Sequence, residues 1–260
     1  MGSQAIQTHL WGQQPQDWAT IQEKTSNTGY QYVLHLPEFG KQGKLLDVGC
    51  GTGFFSNLAH QQGLEVTALD ATDEFIELAR QRAPGVQFCT GEMESLPFAD
   101  GAFDLVTGFN SFQYAADVKN AFVEAKRVLK DKGKLVVMIW GNKEDCEAAT
   151  YLKAVGSLLP PPPPGAPGPY ALSENELLAT MLQGAGFKLI SQEDVQCVWD
   201  YENAETALKG LMSAGPVARA IENSGFDKAY EAISDAMKPY IRSDGHVVYN
   251  NKFRIAVAEK

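Results

Sequence analysis

The stretch that most constrains the chain is KLLDVGCGTGFF, Lys44 to Phe55. Its short apolar run reads as a buried strand ending at Val48. Glycines at positions 49, 51 and 53 then place a turn of unusual backbone freedom directly after it. FFSNLAHQQ follows as a helix closed near Gly63. A strand that feeds a helix through such a turn begins an α/β unit, and glycines this closely spaced imply a backbone approached by a ligand. The alternation continues. EVTALD is a second strand and TDEFIELARQRA a helix, with Thr72 as its N-cap, acids in its first turn, and Phe75, Ile76 and Ala79 as a buried stripe. VQFCTG and FDLVTGF read as the third and fourth strands. A helix from about Asp117 to Lys130 carries Ala121, Phe122, Ala125, Val128 and Leu129 on one face. DKGK then turns the chain into the buried strand KLVVMIW. The pattern predicts an α/β fold with a parallel sheet covered on both faces.

The second half is less regular. LLPPPPPGAPGPY, Leu158 to Tyr170, excludes helix interior and central strand and reads as a stiff loop. In SENELLATMLQGAGF a helix restarts, with Ser173 and Glu176 at capping-box spacing and Gly184 or Gly186 at its end. FKLISQEDVQCVWDY is strand-like, a helical block spans about Asn203 to Tyr240, and NNKFRIAVAEK closes as a strand. A length of 260 residues fits one large domain, or one domain with a sizeable insertion.

The net charge of −10 and the absence of a basic stripe argue against a nucleic-acid partner. No apolar run approaches the roughly 20 residues that cross a bilayer. Cys50, Cys89, Cys146 and Cys197 are far apart, which argues against a zinc site and a disulfide framework. The N-terminus lacks a basic region followed by an apolar core, so reduced thiols and a cytoplasmic location are expected, with no metal. No feature speaks to oligomeric state.

The ligand can be narrowed further. A dinucleotide-binding turn needs GxGxxG, but counting from Gly49 puts Phe54 at the last position, and the pattern is GxGxG. A pyrophosphate would gain from nearby cations, whereas this turn has Asp47 before it and Asp70 across from it, at the end of the second strand where ribose hydroxyls are bound. That suits a ligand with positive charge and no phosphate.

In this order, LLDVGCGTG, LDAT, GEMESLPFADGAFDLV, NSFQY and AFVEAKRVLKDKGKLVVMIWG closely resemble class I S-adenosylmethionine-dependent methyltransferases. The likeness is greatest to the small-molecule branch, methyltransferase type 11, that includes quinone-biosynthesis enzymes. It runs from about Lys44 to Gly141 and continues more weakly beyond. The resemblance implies a Rossmann-like, seven-stranded, mostly parallel sheet with helices on both faces and a helical lid. It also implies the cofactor S-adenosylmethionine, with S-adenosylhomocysteine as product. The loop of Gly49, Cys50, Gly51 and Gly53 would meet the cofactor's methionine and ribose portions, with Asp47 near the amino-acid portion. Asp70 would bind both ribose hydroxyls and Ala71 would pack near the adenine. Glu92 and Met93 would complete the adenine pocket, and Asn110 and Ser111 would lie near the methyl-bearing sulfur. Plainer roles exist for some of these: Asp70 as a helix cap, Glu92 as a solvated acid, Met93 as core.

Methyl transfer from a sulfonium is an in-line displacement, so the protein must align the reactants and exclude water, and a general base is optional. His9, Tyr114 and His246 are the candidate bases, while His35 and His60 read as structural or surface residues. Trp11, Trp18, Tyr30 and Tyr114 are candidate walls for a small-molecule acceptor. Residues 1–43 are expected to form a helical lid segment. Residues 44–260 are expected to form the methyltransferase domain, with a helical cover at about 203–240. Two other readings remain: a catalytically inactive cofactor-binding sensor or scaffold, and a nicotinamide oxidoreductase, which the GxGxG turn and the acidic adenine position disfavour.

Overall fold

The structure is a computed structural model that describes residues 2–40, 42–160 and 168–260. Most of the proline run expected to be a stiff loop lies outside the described residues. The N-terminal segment holds α1 (Gln4–Trp11), α2 (Pro15–Asp17), a π-helical turn over Trp18–Gln22, a 3-10 turn over Glu23–Ser26, and α3 (Asn27–Leu34). The alternating region follows as β1 (Lys44–Val48), α4 (Phe54–Gln61), β2 (Glu65–Asp70), α5 (Asp73–Arg82), β3 (Gln87–Thr90), β4 (Phe103–Phe109), α6 (Val118–Val128) and β5 (Leu129–Trp140). Beyond it come α7 (Ala149–Ser157), α8 (Leu177–Gly184), β6 (Lys188–Gln196) and β7 (Trp199–Tyr201). The helices α9 (Ala204–Met212), α10 (Gly215–Ser224) and α11 (Phe226–Met237) then lead to β8 (Val247–Tyr249) and β9 (Lys252–Glu259).

Seven strands form one sheet in the order β3-β2-β1-β4-β5-β9-β6, parallel except for β9, which runs antiparallel to both neighbours. Strand order reverses between β1 and β4, and an open α/β sheet takes its ligand at such a crevice. Alternate residues feed two cores. Leu45, Val136 and Met138 pack on one face with α3 and α4, while Leu46, Leu135 and Val137 pack on the other with α6 and α8. β1 is buried at every residue after Lys44, as a central strand covered on both sides must be. In α5, Asp73 and Glu74 lie in the first turn and Arg80 and Arg82 in the last, each sign at the helix end that favours it.

The structure corrects several local expectations. Helix α6 stops at Val128 because Leu129 already pairs with Phe103; the DKGK turn is an irregularity within the β4–β5 ladder, with Lys132 at φ 64°. The Ser173–Glu176 capping box does not form. The Ser173 hydroxyl is taken by the Trp140 carbonyl, and Glu176 sits at φ 58° ahead of α8. The strand-like run from Phe187 to Tyr201 divides at the buried Cys197, whose N–H is held by the Asn251 carbonyl at 2.7 Å. β7 thereby leaves the main sheet and pairs with β8 in a two-stranded ribbon. The expected helical block is α9 to α11. It packs on the N-terminal segment, α10 against α1 and α9 against the π-helical turn.

Candidate functional site

The glycine turn has three different neighbours. All three glycines have positive φ: 72° at Gly49, 57° at Gly51 and 76° at Gly53. A Cβ on Gly49 would lie 2.3 Å from the Ser111 Cβ, and one on Gly51 would lie 2.8 Å from Glu23 Oε1. Gly49 and Gly51 both line a cavity at the sheet crevice. A Cβ on Gly53 would instead meet Phe88 at 2.9 Å and Ala79 at 3.0 Å, so this glycine packs the turn against α5 and β3. Gly53 is thus corrected from ligand contact to packing, and so is Cys50. The Cys50 thiol is buried in the core, its pKa pushed well up chiefly by burial, while its N–H is held by the Leu69 carbonyl.

Asp70 stands at the end of β2 and lines the cavity. Its carboxylate accepts the Gly51 N–H and the Thr72 N–H, each at 2.9 Å. Burial raises its carboxyl to about 6 against these bonds. Asp70 therefore braces the glycine turn and the start of α5 while remaining at the cavity wall. Ala71 and Met93 line the same end. Glu92 also lines it, accepting from the Gln4 N–H at 2.8 Å and from the Ser3 hydroxyl at 3.4 Å. The Ala71 carbonyl accepts from the Thr8 hydroxyl at 2.5 Å, so α1 is tethered across this end. Asn110, at φ 50°, and Ser111, whose hydroxyl donates to the Val48 carbonyl at 2.7 Å, form the middle wall.

Asp47 does not reach the cavity. It accepts from the Ser56 hydroxyl at 2.6 Å and the Thr107 hydroxyl at 2.9 Å, and burial raises its carboxyl to about 6. It ties β1 to α4 and β4 from within. The residue that does reach the glycine turn is Glu23, which sequence reasoning missed. This buried carboxylate accepts the Thr52 N–H at 2.8 Å and is bonded by the Thr52 hydroxyl and the Arg82 guanidinium. Burial raises its pKa and Arg82 opposes that rise. Arg82 also donates to the Thr52 carbonyl at 2.9 Å and the Ala19 carbonyl at 2.7 Å, clamping the π-helical turn onto the glycine loop.

Aromatic side chains line the cavity from the glycine turn to its far end. Trp11 meets Trp18 edge-on at 4.7 Å and Tyr114 at 5.4 Å, and Tyr30 lies 5.4 Å from Phe109. All four expected wall residues, Trp11, Trp18, Tyr30 and Tyr114, line the cavity. Trp140 joins them from the end of β5, with Trp199 at 5.3 Å and Phe253 at 4.9 Å, and Tyr151 joins from α7. None of these last four was singled out from the sequence. The only available signal was their place at or beyond strand ends. Burial pushes Tyr114 up to about 12 and holds Tyr30 and Tyr151 well above the ordinary phenol range.

The histidine candidates fall outside. His9 is solvent-exposed and meets Glu222 at 2.5 Å, and His246 is exposed and meets Asp200 at 2.7 Å. Both contacts turn the ring to the surface and neither histidine lines the cavity, so neither is a base for it.

The charged residues on the cavity wall are Asp70 and Glu92, with no Lys or Arg among the described residues. That set fits a nucleoside carrying positive charge and no phosphate. The glycine cradle, which a Cβ at Gly49 or Gly51 would fill, fits its backbone approach. Residues 46–137 match a family described as a methyltransferase domain. A demethylmenaquinone methyltransferase of Thermotoga maritima is 36% identical over 97 residues, covering 36% of this chain and 42% of that protein. A malonyl-[acyl-carrier protein] O-methyltransferase of Serratia marcescens is 36% identical over 93 residues, covering 36% of each chain. The chain thus spans less than half the length of these curated relatives. A solved structure of a Bacillus halodurans protein, provisionally described as a methyltransferase, covers 89% of this chain and 98% of its own at a TM-score of 0.60 and 17% identity. That likeness shows the seven-stranded fold.

Proposed function

We propose that this chain is an S-adenosylmethionine-dependent methyltransferase acting on a small, largely apolar or aromatic acceptor. The observation that carries the reading is a single cavity with two unlike ends: an acidic, glycine-walled end without cations, and an aromatic end. S-adenosylmethionine, when bound, supplies an electrophilic methyl group on a sulfonium sulfur. Asp70 accepts from the ribose hydroxyls, and Glu92 accepts from the adenine amine in place of its present donors on α1. Met93 and Ala71 pack the base.

At the other end Tyr30, Trp140, Tyr151 and Trp199 provide rigid apolar area that excludes water and orients the acceptor. The tyrosines stay protonated at neutral pH, since burial raises all three that line the cavity. They donate or pack rather than remove protons. On this reading the acceptor, at O, N or C, attacks with its own electrons, a lone pair on a heteroatom or the π electrons of an electron-rich carbon. The N-terminal segment and the helices α9 to α11 act as covers that close over both ligands. The thiols of Cys50, Cys89, Cys146 and Cys197 are unpaired, which suits a reducing, cytoplasmic setting.

Titration calorimetry tests the cofactor reading: S-adenosylhomocysteine should bind and NAD should not. Binding of NAD alone would overturn it. Transfer of labelled methyl to one of a panel of neutral aromatic acceptors would separate an enzyme from a protein that only binds the cofactor.

A further inference from the structure

Buried polar atoms without partners are rare in folded proteins, and each calls for a cause. Two of those along the cavity wall are indole N–H groups, Trp18 Nε1 and Trp199 Nε1. Trp199 sits against Trp140 at the aromatic end. Trp18 lies at the other end: its Nε1 is 3.5 Å from the point a Cβ on Gly51 would occupy, over the glycine turn.

The amino-acid portion of S-adenosylmethionine ends in a carboxylate, which needs donors. Several donors near the glycine turn and along the cavity wall are already committed. Arg82, the cation beside the glycine turn, does not line the cavity and spends its guanidinium on Glu23, Thr52 and Ala19. The Trp11 indole donates to Gln7 at 3.0 Å, and the Gln7 amide to the Tyr114 carbonyl at 3.1 Å. The Thr25 hydroxyl donates to the Gln22 carbonyl at 2.7 Å, and the Ser111 hydroxyl to Val48. Asp47, expected near the amino-acid portion, is enclosed behind β1.

We propose that the indole N–H of Trp18 is the donor that recognises the carboxylate of the cofactor's amino-acid portion, an assignment that rests on the methyltransferase reading above. The local structure supports it. Trp18 opens a π-helical turn closed by the Glu23 N–H on the Trp18 carbonyl, and turns of this kind occur often at functional sites. The wider turn brings Trp18 and Gln22 to the cavity while Glu23 is fastened to Thr52 and Arg82. The Trp18 Nε1 is shielded in the ligand-free protein, so the carboxylate meets it as this turn shifts on binding. Trp18 thus moves from the acceptor wall to the cofactor, and Glu23 is a positioning residue behind it.

The test compares two ligands on the intact chain. S-adenosylhomocysteine carries the amino-acid portion; 5′-methylthioadenosine keeps the nucleoside and thioether without it. Trp18→Phe retains an aromatic ring and removes the N–H. It should weaken S-adenosylhomocysteine about tenfold or more, as expected for a hydrogen bond to a charged group, and leave 5′-methylthioadenosine within about twofold. Equal weakening of both ligands would make Trp18 only a wall, and no change in either would leave the N–H without a role; both results overturn the assignment. Wild-type protein that binds neither ligand overturns the methyltransferase reading and the assignment with it. A second measurement needs no variant. In ¹⁵N-labelled wild-type protein, the Trp18 Nε1–H resonance should move downfield with S-adenosylhomocysteine and not with 5′-methylthioadenosine. An unmoved resonance under saturating S-adenosylhomocysteine contradicts the proposal even if Trp18→Phe fails to fold.

Discussion

The sheet region from β1 to β5 and the outer shell, made of the N-terminal segment and the run from β7 to β8, build the same cavity by different means. In the first, side chains are fixed by the backbone: Asp70 by its place at the end of β2, Gly49 and Gly51 by the turn, Ser111 by its bond to β1. In the second, they are fixed by contacts between distant segments, such as Glu23 with Arg82 and α1 with Glu92. The first region can hold its geometry with or without ligand. The second adds polar tethers to an apolar core that it shares with the sheet, and it contributes Tyr30 and Trp199 to the aromatic wall. On the proposed function, cofactor binding and acceptor choice should therefore be separable.

Breaking the first region should have the largest effect. Gly49→Ala introduces a side chain at positive φ and drives its Cβ into Ser111, so strain plus overpacking should cost about 2–5 kcal/mol of stability and abolish S-adenosylhomocysteine binding. Denaturant unfolding and calorimetry read both.

Asp70→Asn comes next. Loss of a charge-assisted acceptor should weaken S-adenosylhomocysteine by about 1.5–3 kcal/mol in a folded protein. The same residue sets a pH dependence. Its carboxyl titrates at about 6 in the folded protein against 3.8 ordinarily, as does that of Asp47. Between those values the folded state binds more protons than the unfolded state, so these two groups stabilise the ligand-free protein at low pH and lose that contribution as pH rises through 6. Cofactor affinity should run the other way, tightening as pH rises from 5 to about 7 and Asp70 ionises. Asp70→Asn should flatten that rise in a calorimetric pH series.

Glu23→Gln probes the second region. It removes the charge opposite Arg82 but leaves the guanidinium its carbonyl partners, so a cost of about 1–3 kcal/mol is expected, below that of stripping a fully buried pair. Because the clamp joins the two regions, protease cleavage near residues 12–26 should speed up, while the sheet stays protected. The smallest effect is expected at Gly156, a helical glycine in α7 with open space at its Cβ position. Gly156→Ala should raise stability by up to about 1 kcal/mol without changing cofactor affinity.

The same division explains what the sequence disclosed. Asp70, Glu92 and Gly51 are legible because a strand end or a glycine turn fixes where such residues point, and the order of strands and helices sets which strand end they occupy. Glu23 carries no comparable mark. Its partner Arg82 is 59 residues away, and no periodicity joins the π-helical turn to the end of α5. Trp140 and Trp199 read as strand residues, and only the tertiary fold turns both toward one space. The Ser173–Glu176 spacing failed for a related reason: a backbone carbonyl at Trp140 outcompeted the local cap for the same hydroxyl. Gly53 and Cys50 show the limit within the turn itself: Gly53 repeats the spacing of Gly49 and Gly51, and only the packing around Phe88 and Leu69 sets these two residues apart.

The claim that one region holds the cofactor while the other closes over it is tested most directly by amide hydrogen exchange with and without S-adenosylhomocysteine. The proposed closure predicts that residues 49–53 and 70–72 gain protection on binding, and that residues 4–34 and 204–224 gain more as the contacts of α1 with Glu92 and Ala71, and of Glu23 with Thr52, tighten. Unchanged protection across residues 4–34 and 204–224, alongside a protected glycine turn, would mean that these segments are fixed walls and that the acceptor reaches the cavity by another face.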